Sequence, residues 1–284
     1  MRQRNGPGRT LVMGIVNVTP DSFSDGGEFA STDAAISRGR ALLAEGADLI
    51  DVGGESTRPG AARVEPAEEM RRVVPVIREL ATQGAVVSVD TTRAEVARAA
   101  VAAGATVVND VSGGLADPAM LATAAELGVD YVAMHWRGPA SVMQQFSHYD
   151  DVAAEVAEEL AQRRDAALAA GVDVDRLILD PGIGFAKTAE HNWTLLARLG
   201  ELAALGCPLL VGVSRKRFLG ELLASRPPKG RDDASVALTT VLAAQGVWAV
   251  RTHTVRAHVD AIAVVQRLRG EGHRGAVGSE NGGE

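Results

Sequence analysis

Cysteine and aromatic residues are both scarce in this chain of 284 residues. The single cysteine, Cys207, excludes an internal disulfide, and the apolar run Gly-Cys-Pro-Leu-Leu-Val around it predicts a buried thiol rather than a reactive one. Aromatic side chains make up only 4% of the residues, so the core is expected to consist mainly of Ala, Val, Leu and Ile. Such a core suits a protein of alternating strands and helices.

Long hydrophobic runs and an excess of positive charge are also missing. No apolar segment reaches the length of a membrane span, and the first ten residues lack the apolar stretch of a signal peptide. The formal net charge of −7 gives no broad positive field to attract nucleic acid or an anionic membrane. We therefore expect a soluble, cytoplasmic protein with no nucleic-acid or membrane partner, in which any phosphorylated substrate is held by local positive charge.

A short β-rich run followed by a helical stretch occurs eight times along the chain. The predicted strands span 11–17, 48–52, 86–90, 106–109, 130–135, 177–180, 208–213 and 247–253. The predicted amphipathic helices span 33–45, 66–82, 93–103, 117–127, 150–170, 190–204, 232–245 and 255–269. Because the strands are almost continuously apolar, they are typical of a buried parallel sheet.

Eight βα units of this size predict a single (β/α)8 barrel, the α/β fold of the TIM-barrel type. A doubly wound open sheet is the alternative, but the first strand is followed by NVTPDSFSDGG and not by a GxGxxG turn. We assign residues 1–10 to an N-terminal extension, 11–270 to one barrel with long first and second βα loops, and 271–284 to a flexible, glycine-rich tail.

Polar residues occupy the carboxyl ends of the predicted strands and the residues just after them. In a parallel barrel these ends gather at one face, where barrel enzymes place their active sites. The residues concerned are Asn17, Asp51, Asp90, Asn109, Asp110, His135, Asp180, Ser214, Lys216, Arg251 and His253. Any one of them could instead cap a helix, but a polar end on every strand indicates a binding site.

The chemistry of this array indicates two kinds of ligand group. Asp90 and Asp180 offer carboxylates that can accept paired hydrogen bonds from the N–H edge of an aminopyrimidine or pterin ring. Arg251 and His253 could hold phosphate oxygens, and a short helix starting near Arg217 would offer N–H groups to an anion. The predicted ligands are a planar nitrogen heterocycle and an anionic group.

Two aromatic pairs near the fifth strand receive structural interpretations. His135 and Trp136 are expected to form part of the wall of the site, because the histidines show no metal-ligand spacing. His148 and Tyr149 are expected to lie on the surface.

Eight segments, in this order, resemble the dihydropteroate synthase family over about residues 11–260. They are MGIVNVTPDSFSDGG (13–27), DVGGESTRPGA (51–61), SVDT (88–91), VNDVSGG (108–114), MHWRG (134–138), DPGIGFAK (180–187), GVSRKRFLG (212–220) and RTHTV (251–255). Members of this family join a dihydropterin methyl diphosphate to 4-aminobenzoate, releasing diphosphate and forming dihydropteroate for folate biosynthesis. The resemblance implies a transferase, a homodimer, and inhibition by sulfonamides that mimic 4-aminobenzoate.

The resemblance also implies a role for each matching residue. Asn17 would bind Mg²⁺, with diphosphate oxygens and water completing the coordination. The pterin would be bound by Asp90, Asn109, Asp180 and Lys216, and the diphosphate by Thr57, Arg251 and His253. The 4-aminobenzoate pocket would comprise Phe23, Arg58, Pro59, Phe185 and Lys216, with the carboxylate near Arg217 and Ser214 also binding substrate. The implied catalytic set is Asp25, Arg58, Lys216, Arg251 and His253, with the C–O bond breaking first and Asp25 stabilising the pterin-methyl cation.

Two other functions remain open from the sequence. A corrinoid-type methyltransferase acting on methyltetrahydrofolate would share the pterin-binding acids, but the segments STRPGA, SRK and RTH suit an anionic leaving group and a second acceptor. A non-catalytic pterin-binding homologue should have lost some of the reactive residues. All of those expected to act on substrate or metal are present, namely Asn17, Asp25, Arg58, Lys216, Arg251 and His253.

Overall fold

The structure, a computed structural model, describes residues 8–19, 27–55, 63–139 and 141–277. Within these ranges the strands are β1 Leu11–Asn17, β2 Leu49–Gly53, β3 Val87–Asp90, β4 Val107–Asp110, β5 Asp130–Met134, β6 Leu177–Asp180, β7 Leu210–Val211 and β8 Ala249–Thr252. The helices are α1 Gly27–Ala44, α2 Pro66–Thr82, α3 Ala94–Ala102, α4 Met120–Leu127, α5 Val152–Ala169, α6 Ala189–Ala197, α7 Leu199–Ala203, α8 Arg217–Leu222, α9 Asp232–Gln245 and α10 Arg256–Val277.

The strands form one parallel sheet whose two ends meet. Neighbouring strands follow the order β6-β5-β4-β3-β2-β1-β8-β7. The two ends of this order are joined by a parallel bridge between Leu179 and Leu209, and the Leu179 N–H donates to the Pro208 carbonyl at 2.9 Å. The predicted (β/α)8 barrel is therefore confirmed, and the open-sheet alternative is wrong because the sheet curls back on itself.

The inner face of the barrel is apolar at its amino end and polar at its carboxyl end. A buried cluster fills the amino end, formed by Met13, Leu49, Val107, Val132, Ile178, Leu210 and Ala249. Because residues two apart on a strand share a face, the next inward positions are Asp51, Asn109, Asp180 and Arg251. The polar side chains therefore form a layer directly above the apolar cluster inside the barrel.

A second, larger core lies between the strands and the surrounding helices. Cys207 is buried in it, as predicted, and burial raises the pKa of its thiol. Among the residues that the structure describes, no helix is both long and apolar enough to cross a lipid bilayer.

Three of the predicted helices differ most from those observed. Helix α1 begins at Gly27 instead of residue 33, and the single helix predicted over 190–204 is divided into α6 and α7 at Arg198. Helix α10 extends to Val277, past the predicted barrel boundary at residue 270. Glycine weakens a helix interior by about 1 kcal/mol but does not stop it, so the glycines near 270 did not mark the end.

Candidate active site

A cavity of about 880 Å³ opens at the carboxyl ends of the strands. The predicted site residues that line it are Asn17, Asp90, Asn109, Asp180, Phe185, Ser214, Lys216, Arg217, Arg251 and His253. Asp51, Asp110 and His135, from the predicted polar array, do not line it. The predicted site residues on the first and second βα loops lie outside the described residues: Phe23, Asp25, Thr57, Arg58 and Pro59. The barrel thus brings together side chains that are far apart in the sequence.

Arg251, at the base of the cavity, is held in place by two buried carboxylates. Its Nε donates to Asp51 Oδ2 at 2.6 Å, and its Nη2 donates to Asp90 Oδ2 at 2.8 Å. Asn109 Nδ2 donates to the same Asp51 oxygen at 3.0 Å. Because its amide nitrogen is used in this way, Asn109 is oriented to present its oxygen to the cavity as an acceptor.

Asp51 is a functional residue whose role sequence reasoning missed. It is fully buried below the cavity, so it does not contact a ligand, but one of its oxygens orients both Arg251 and Asn109. The available signal was its position two residues after Leu49, which puts it on the inner face of β2.

Burial changes the protonation of the charged groups that line the cavity. It raises the pKa of Asp90 to about 7, against the opposing charge of Arg251, and it also raises the pKa of Asp180, against the charge of Lys216. Burial lowers the pKa of Lys216 to about 8, while Asp180 opposes that change. Burial deprives these charged groups of hydration. Ligand N–H groups that donate to Asp90 and Asp180, and a ligand acceptor at Lys216, would replace the lost hydrogen bonds to water.

The raised pKa of Asp90 predicts a specific dependence of stability on pH. The carboxyl group has an ordinary pKa of 3.8 and a folded-state pKa of about 7. Between these values the unfolded chain has lost a proton that the folded chain keeps, so the contribution of Asp90 to stability falls as the pH rises and then levels off. Asp90→Asn removes this titration. We therefore expect the free energy of unfolding of the variant, minus that of the original chain, to increase as the pH rises from about 4 to about 7.

Urea unfolding at several pH values measures this difference directly. Asp175→Asn is the matched control, because Asp175 is exposed in the turn before β6. A difference between Asp90→Asn and the original chain that stays constant over this range would contradict the assignment.

His253 and Ser214 form a second fixed pair at the edge of the cavity. Ser214 Oγ lies 3.0 Å from His253 Nδ1 and accepts from the His253 backbone N–H at 3.2 Å. Donation by the hydroxyl to Nδ1 puts the proton of the neutral imidazole on Nε2. The Nε2–H group of His253 is therefore the hydrogen-bond donor that the ring can offer to a ligand.

Lys216 connects the loop after β7 with the loop after β6. Its ammonium donates to the Ile183 carbonyl and lies 4.6 Å from the centroid of the Phe185 ring. Arg215, in the left-handed region with φ 59°, is held by paired hydrogen bonds of 2.7 and 2.8 Å to Asp232. Arg217 begins the six-residue helix α8, and its exposed side chain pairs with Glu221 at 3.1 Å.

Comparison with known proteins identifies the relatives of this barrel. The family model described as "Pterin binding enzyme" matches residues 13–253. The chain belongs to this family.

Its relatives within the pterin-binding family include several dihydropteroate synthases. The dihydropteroate synthase of Mycobacterium leprae is 55% identical over 260 residues, which cover 89% of this chain and 92% of the relative. A solved structure of Xanthomonas albilineans dihydropteroate synthase with 4-aminobenzoic acid is 50% identical, with a TM-score of 0.87, and covers 92% of this chain and 93% of that chain. The same enzyme in complex with 7,8-dihydropteroate is 48% identical with a TM-score of 0.83, over 92% of this chain and 94% of that chain. The predicted family is confirmed.

The resemblance to dihydropteroate synthase implies Mg²⁺ at Asn17, and the residues around Asn17 show whether such an ion would fit there. In the described part of the chain, no group of three or more His, Cys, Asp or Glu residues could hold a metal ion. Asn17 lines the cavity, and a side chain at Gly53 would place its Cβ 3.8 Å from Asn17 Oδ1, so glycine keeps the space beside that oxygen open. One amide oxygen fits an ion that takes its remaining ligands from diphosphate and water, as Mg²⁺ commonly does.

Two expectations about the end of β5 are wrong. His135 and Trp136 do not line the main cavity but a separate cavity of about 480 Å³ on the outside of the barrel. Met134 faces the interior, so His135 after it points outwards, as the alternation of side chains along a strand requires. Tyr149 is buried and not on the surface. The Arg137 guanidinium covers one face of its ring, 3.8 Å from the ring centroid.

Proposed function

We propose that this cavity carries out the dihydropteroate synthase reaction by dissociative substitution. The substrates would be (7,8-dihydropterin-6-yl)methyl diphosphate and 4-aminobenzoate, and the products 7,8-dihydropteroate and diphosphate. One observation carries the proposal. The same cavity contains buried acceptors that suit a pterin ring and an arginine that could bind the leaving diphosphate. The extent of identity to named dihydropteroate synthases supports it.

The pterin would bind to Asp90, Asn109, Asp180 and Lys216. Asp180 accepts from the Gly182 N–H at 2.7 Å through Oδ1, which leaves Oδ2 for a ring N–H. Asn109 presents its amide oxygen, and Lys216 supplies a donor to a ring acceptor. A ring with adjacent N–H groups would therefore meet acceptors on more than one strand, and a ring without them would leave buried carboxylates unpaired.

The diphosphate would be released towards Arg251 and His253. Asp51 and Asp90 engage Nε and Nη2 of Arg251, and Nη1 is the nitrogen that we assign to the diphosphate. Both side chains are held in place before the substrate arrives, so little reorganisation accompanies the charge that develops on the leaving group. Asn17 would hold Mg²⁺, which neutralises part of the diphosphate charge when bound.

In the proposed reaction, the bond between the methylene carbon and the bridging oxygen breaks, and its electron pair leaves with the diphosphate. The resulting cation is delocalised over the pterin ring. The amine nitrogen of 4-aminobenzoate then forms a bond to the methylene carbon and loses a proton to solvent or diphosphate. No covalent bond to the protein is required.

The second substrate would bind between Phe185, Lys216, Ser214 and the start of α8 at Arg217. Phe185 and Lys216 already contact each other across the cavity wall. For Phe23, Asp25, Thr57, Arg58 and Pro59, outside the described residues, we retain the roles that the family resemblance implies. Sulfonamides should compete at this pocket because they share the arylamine ring of 4-aminobenzoate.

The proposed function is tested by incubating the purified protein with the dihydropterin diphosphate, Mg²⁺ and labelled 4-aminobenzoate. We expect labelled dihydropteroate and one equivalent of diphosphate. Folded protein that binds a pterin but yields no labelled product would support the non-catalytic alternative instead.

We also propose that the chain forms a homodimer through the outer faces of α9 and α10. These helices pack side by side, and Val241, Val264 and Leu268 on them are exposed. A second copy is the expected occupant because the family resemblance implies a homodimer through helices away from the cavity. Val264→Glu should halve the mass measured by sedimentation, and Val174→Glu, an exposed valine elsewhere, should not. A monomeric mass for the original chain would contradict the proposal.

A further inference from the structure

Lys187 is a buried lysine whose contacts hold the loop between β6 and α6. Its ammonium lies 3.2 Å from the Gly182 carbonyl, 3.2 Å from the Phe185 carbonyl and 3.0 Å from His135 Nδ1. An ammonium has three N–H donors, so these three acceptors satisfy it completely. Only 3% of the residue is exposed, so the same contacts also compensate the loss of its hydration.

His135 connects this lysine to the outer wall of the barrel. Burial lowers the pKa of Lys187 to about 7, so below that pH its amino group is an ammonium, which cannot accept a hydrogen bond. His135 Nδ1 is then the acceptor, and the ring proton of the neutral imidazole lies on Nε2. Nε2 is 3.0 Å from Glu159 Oε2 on α5, a close polar contact in which the two groups are not aligned as a hydrogen bond. Burial and the charge of Lys187 lower the pKa of His135 to about 4, which keeps the ring neutral at ordinary pH.

Glu159 is itself fixed. Arg137 donates from Nε to Glu159 Oε1 at 3.0 Å, and it also donates to Glu155 at 2.8 Å. Burial would raise the pKa of Glu159, but the close contact with His135 and the hydrogen bonds from Arg137 outweigh it and lower the pKa to about 2. The carboxylate is therefore a charged, immobile end point for the chain of contacts.

The loop that Lys187 holds has an unfavourable backbone. Gly182 and Gly184 have φ values of 64° and 81°, and Ala186, which has a Cβ, has a φ of 48°. A non-glycine residue in this region costs free energy and persists only where its surroundings determine it. The loop carries Phe185 and the Ile183 carbonyl, both of which contact Lys216 in the main cavity.

We propose that Glu159, His135 and Lys187 form a loop anchor that positions Phe185 and Lys216 for 4-aminobenzoate. The three are positioning residues, since the anchor acts through the loop backbone and not by contact with the amine or its carboxylate. The inference rests on the proposed function, because it assumes that Phe185 and Lys216 wall the 4-aminobenzoate pocket. It assigns to a cluster beside the outer cavity a role mainly in the affinity for the second substrate, because Phe185 is assigned to that substrate alone, whereas the pterin is also bound by Asp90, Asn109 and Asp180 from other strands.

Steady-state kinetics of Glu159 variants test the anchor at its far end, outside the main cavity. Glu159→Ala should raise KM for 4-aminobenzoate by about fivefold, while KM for the dihydropterin diphosphate changes by less than about twofold. Glu159→Gln keeps an acceptor oxygen for His135 Nε2 and should recover most of the loss. Glu158→Ala is the matched control, because Glu158 is the exposed neighbour on the same helix.

Lys187→Met tests the near end and should raise KM for 4-aminobenzoate by about tenfold or more. If this variant does not fold, the Glu159 series still decides the question. A readout independent of activity is the ¹⁵N spectrum of His135, assigned with His135→Gln. We expect a neutral ring with its proton on Nε2 down to about pH 5 in the original chain, and loss of that pattern in Glu159→Ala.

Equal changes in both KM values, or a rise that Glu159→Gln does not reverse, would mean a general structural role and would overturn the anchor. Unchanged KM values in Glu159→Ala, or a His135 proton on Nδ1, would also overturn it. An original chain that makes no dihydropteroate would instead refute the proposed function, so the two failures are distinguishable.

Discussion

Arg251→Met is expected to lower kcat/KM for dihydropteroate formation by about a thousandfold, the scale found when a cation facing a leaving phosphate is removed. Arg251 lies on the inner face of β8, within the cavity, and is the group to which we assign the leaving diphosphate. Methionine keeps much of the volume but supplies no charge. The loss should appear in kcat, because the charge on the leaving group develops only as the bond breaks.

The same substitution should also reduce stability. It leaves Asp51 and Asp90 without the cation that engages both carboxylates, and breaking a buried ion pair in this way costs about 3–5 kcal/mol. Arg98→Met is the matched control, since Arg98 pairs with Glu126 at the surface, where removing one partner of an ion pair has little effect on stability. Urea unfolding measures the stability of both variants, and an assay of dihydropteroate formation measures their activity. Near-normal kcat/KM in a folded Arg251→Met protein would refute the role of Arg251.

Asp180→Asn is expected to weaken pterin binding by about 2–4 kcal/mol with the fold intact. Asp180 Oδ1 accepts from the Gly182 N–H, and an amide that keeps this bond must direct its NH₂ group at the ligand. A donor would then face the ring N–H, so the substitution adds a mismatch to the loss of charge. Calorimetry with a pterin analogue measures the effect.

Asp175→Asn provides the control for the same chemical change, because Asp175 is exposed near the amino end of β6 and far from the cavity mouth. It should leave the affinity unchanged. An Asp180→Asn protein with the affinity of the original chain would exclude Asp180 from the pterin site.

The repeated strand-helix pattern was sufficient to predict the barrel, because short apolar runs between amphipathic helices have few other folded arrangements. Strands β1 and β6 have the predicted bounds, Leu11–Asn17 and Leu177–Asp180. The polar residues at the strand ends were predicted for the same reason, since parallel strands direct all their carboxyl ends to one face. Their individual roles in the reaction are still predictions.

What could not be predicted depends on side-chain direction and on long-range contacts. His135 was expected in the wall of the main cavity, but the alternation along β5 turns it outwards to Glu159. Lys187 was recognised only as part of a segment, because spacing does not reveal that its ammonium turns back onto the loop before it. The role of Asp51 depends on Arg251, 200 residues away in the sequence.

The seam between β6 and β7 has a consequence for the energetics of the barrel. β7 comprises only Leu210 and Val211, and the single bridge to β6 is made by Leu209, just before β7. Separating the chain here from β6 therefore breaks fewer hydrogen bonds than separating β1 from β2. Local opening across the seam should therefore be the least costly partial unfolding of the sheet. A pterin held by Asp180 on one side and Lys216 on the other would span this joint, and its binding free energy would add to the closure of the barrel.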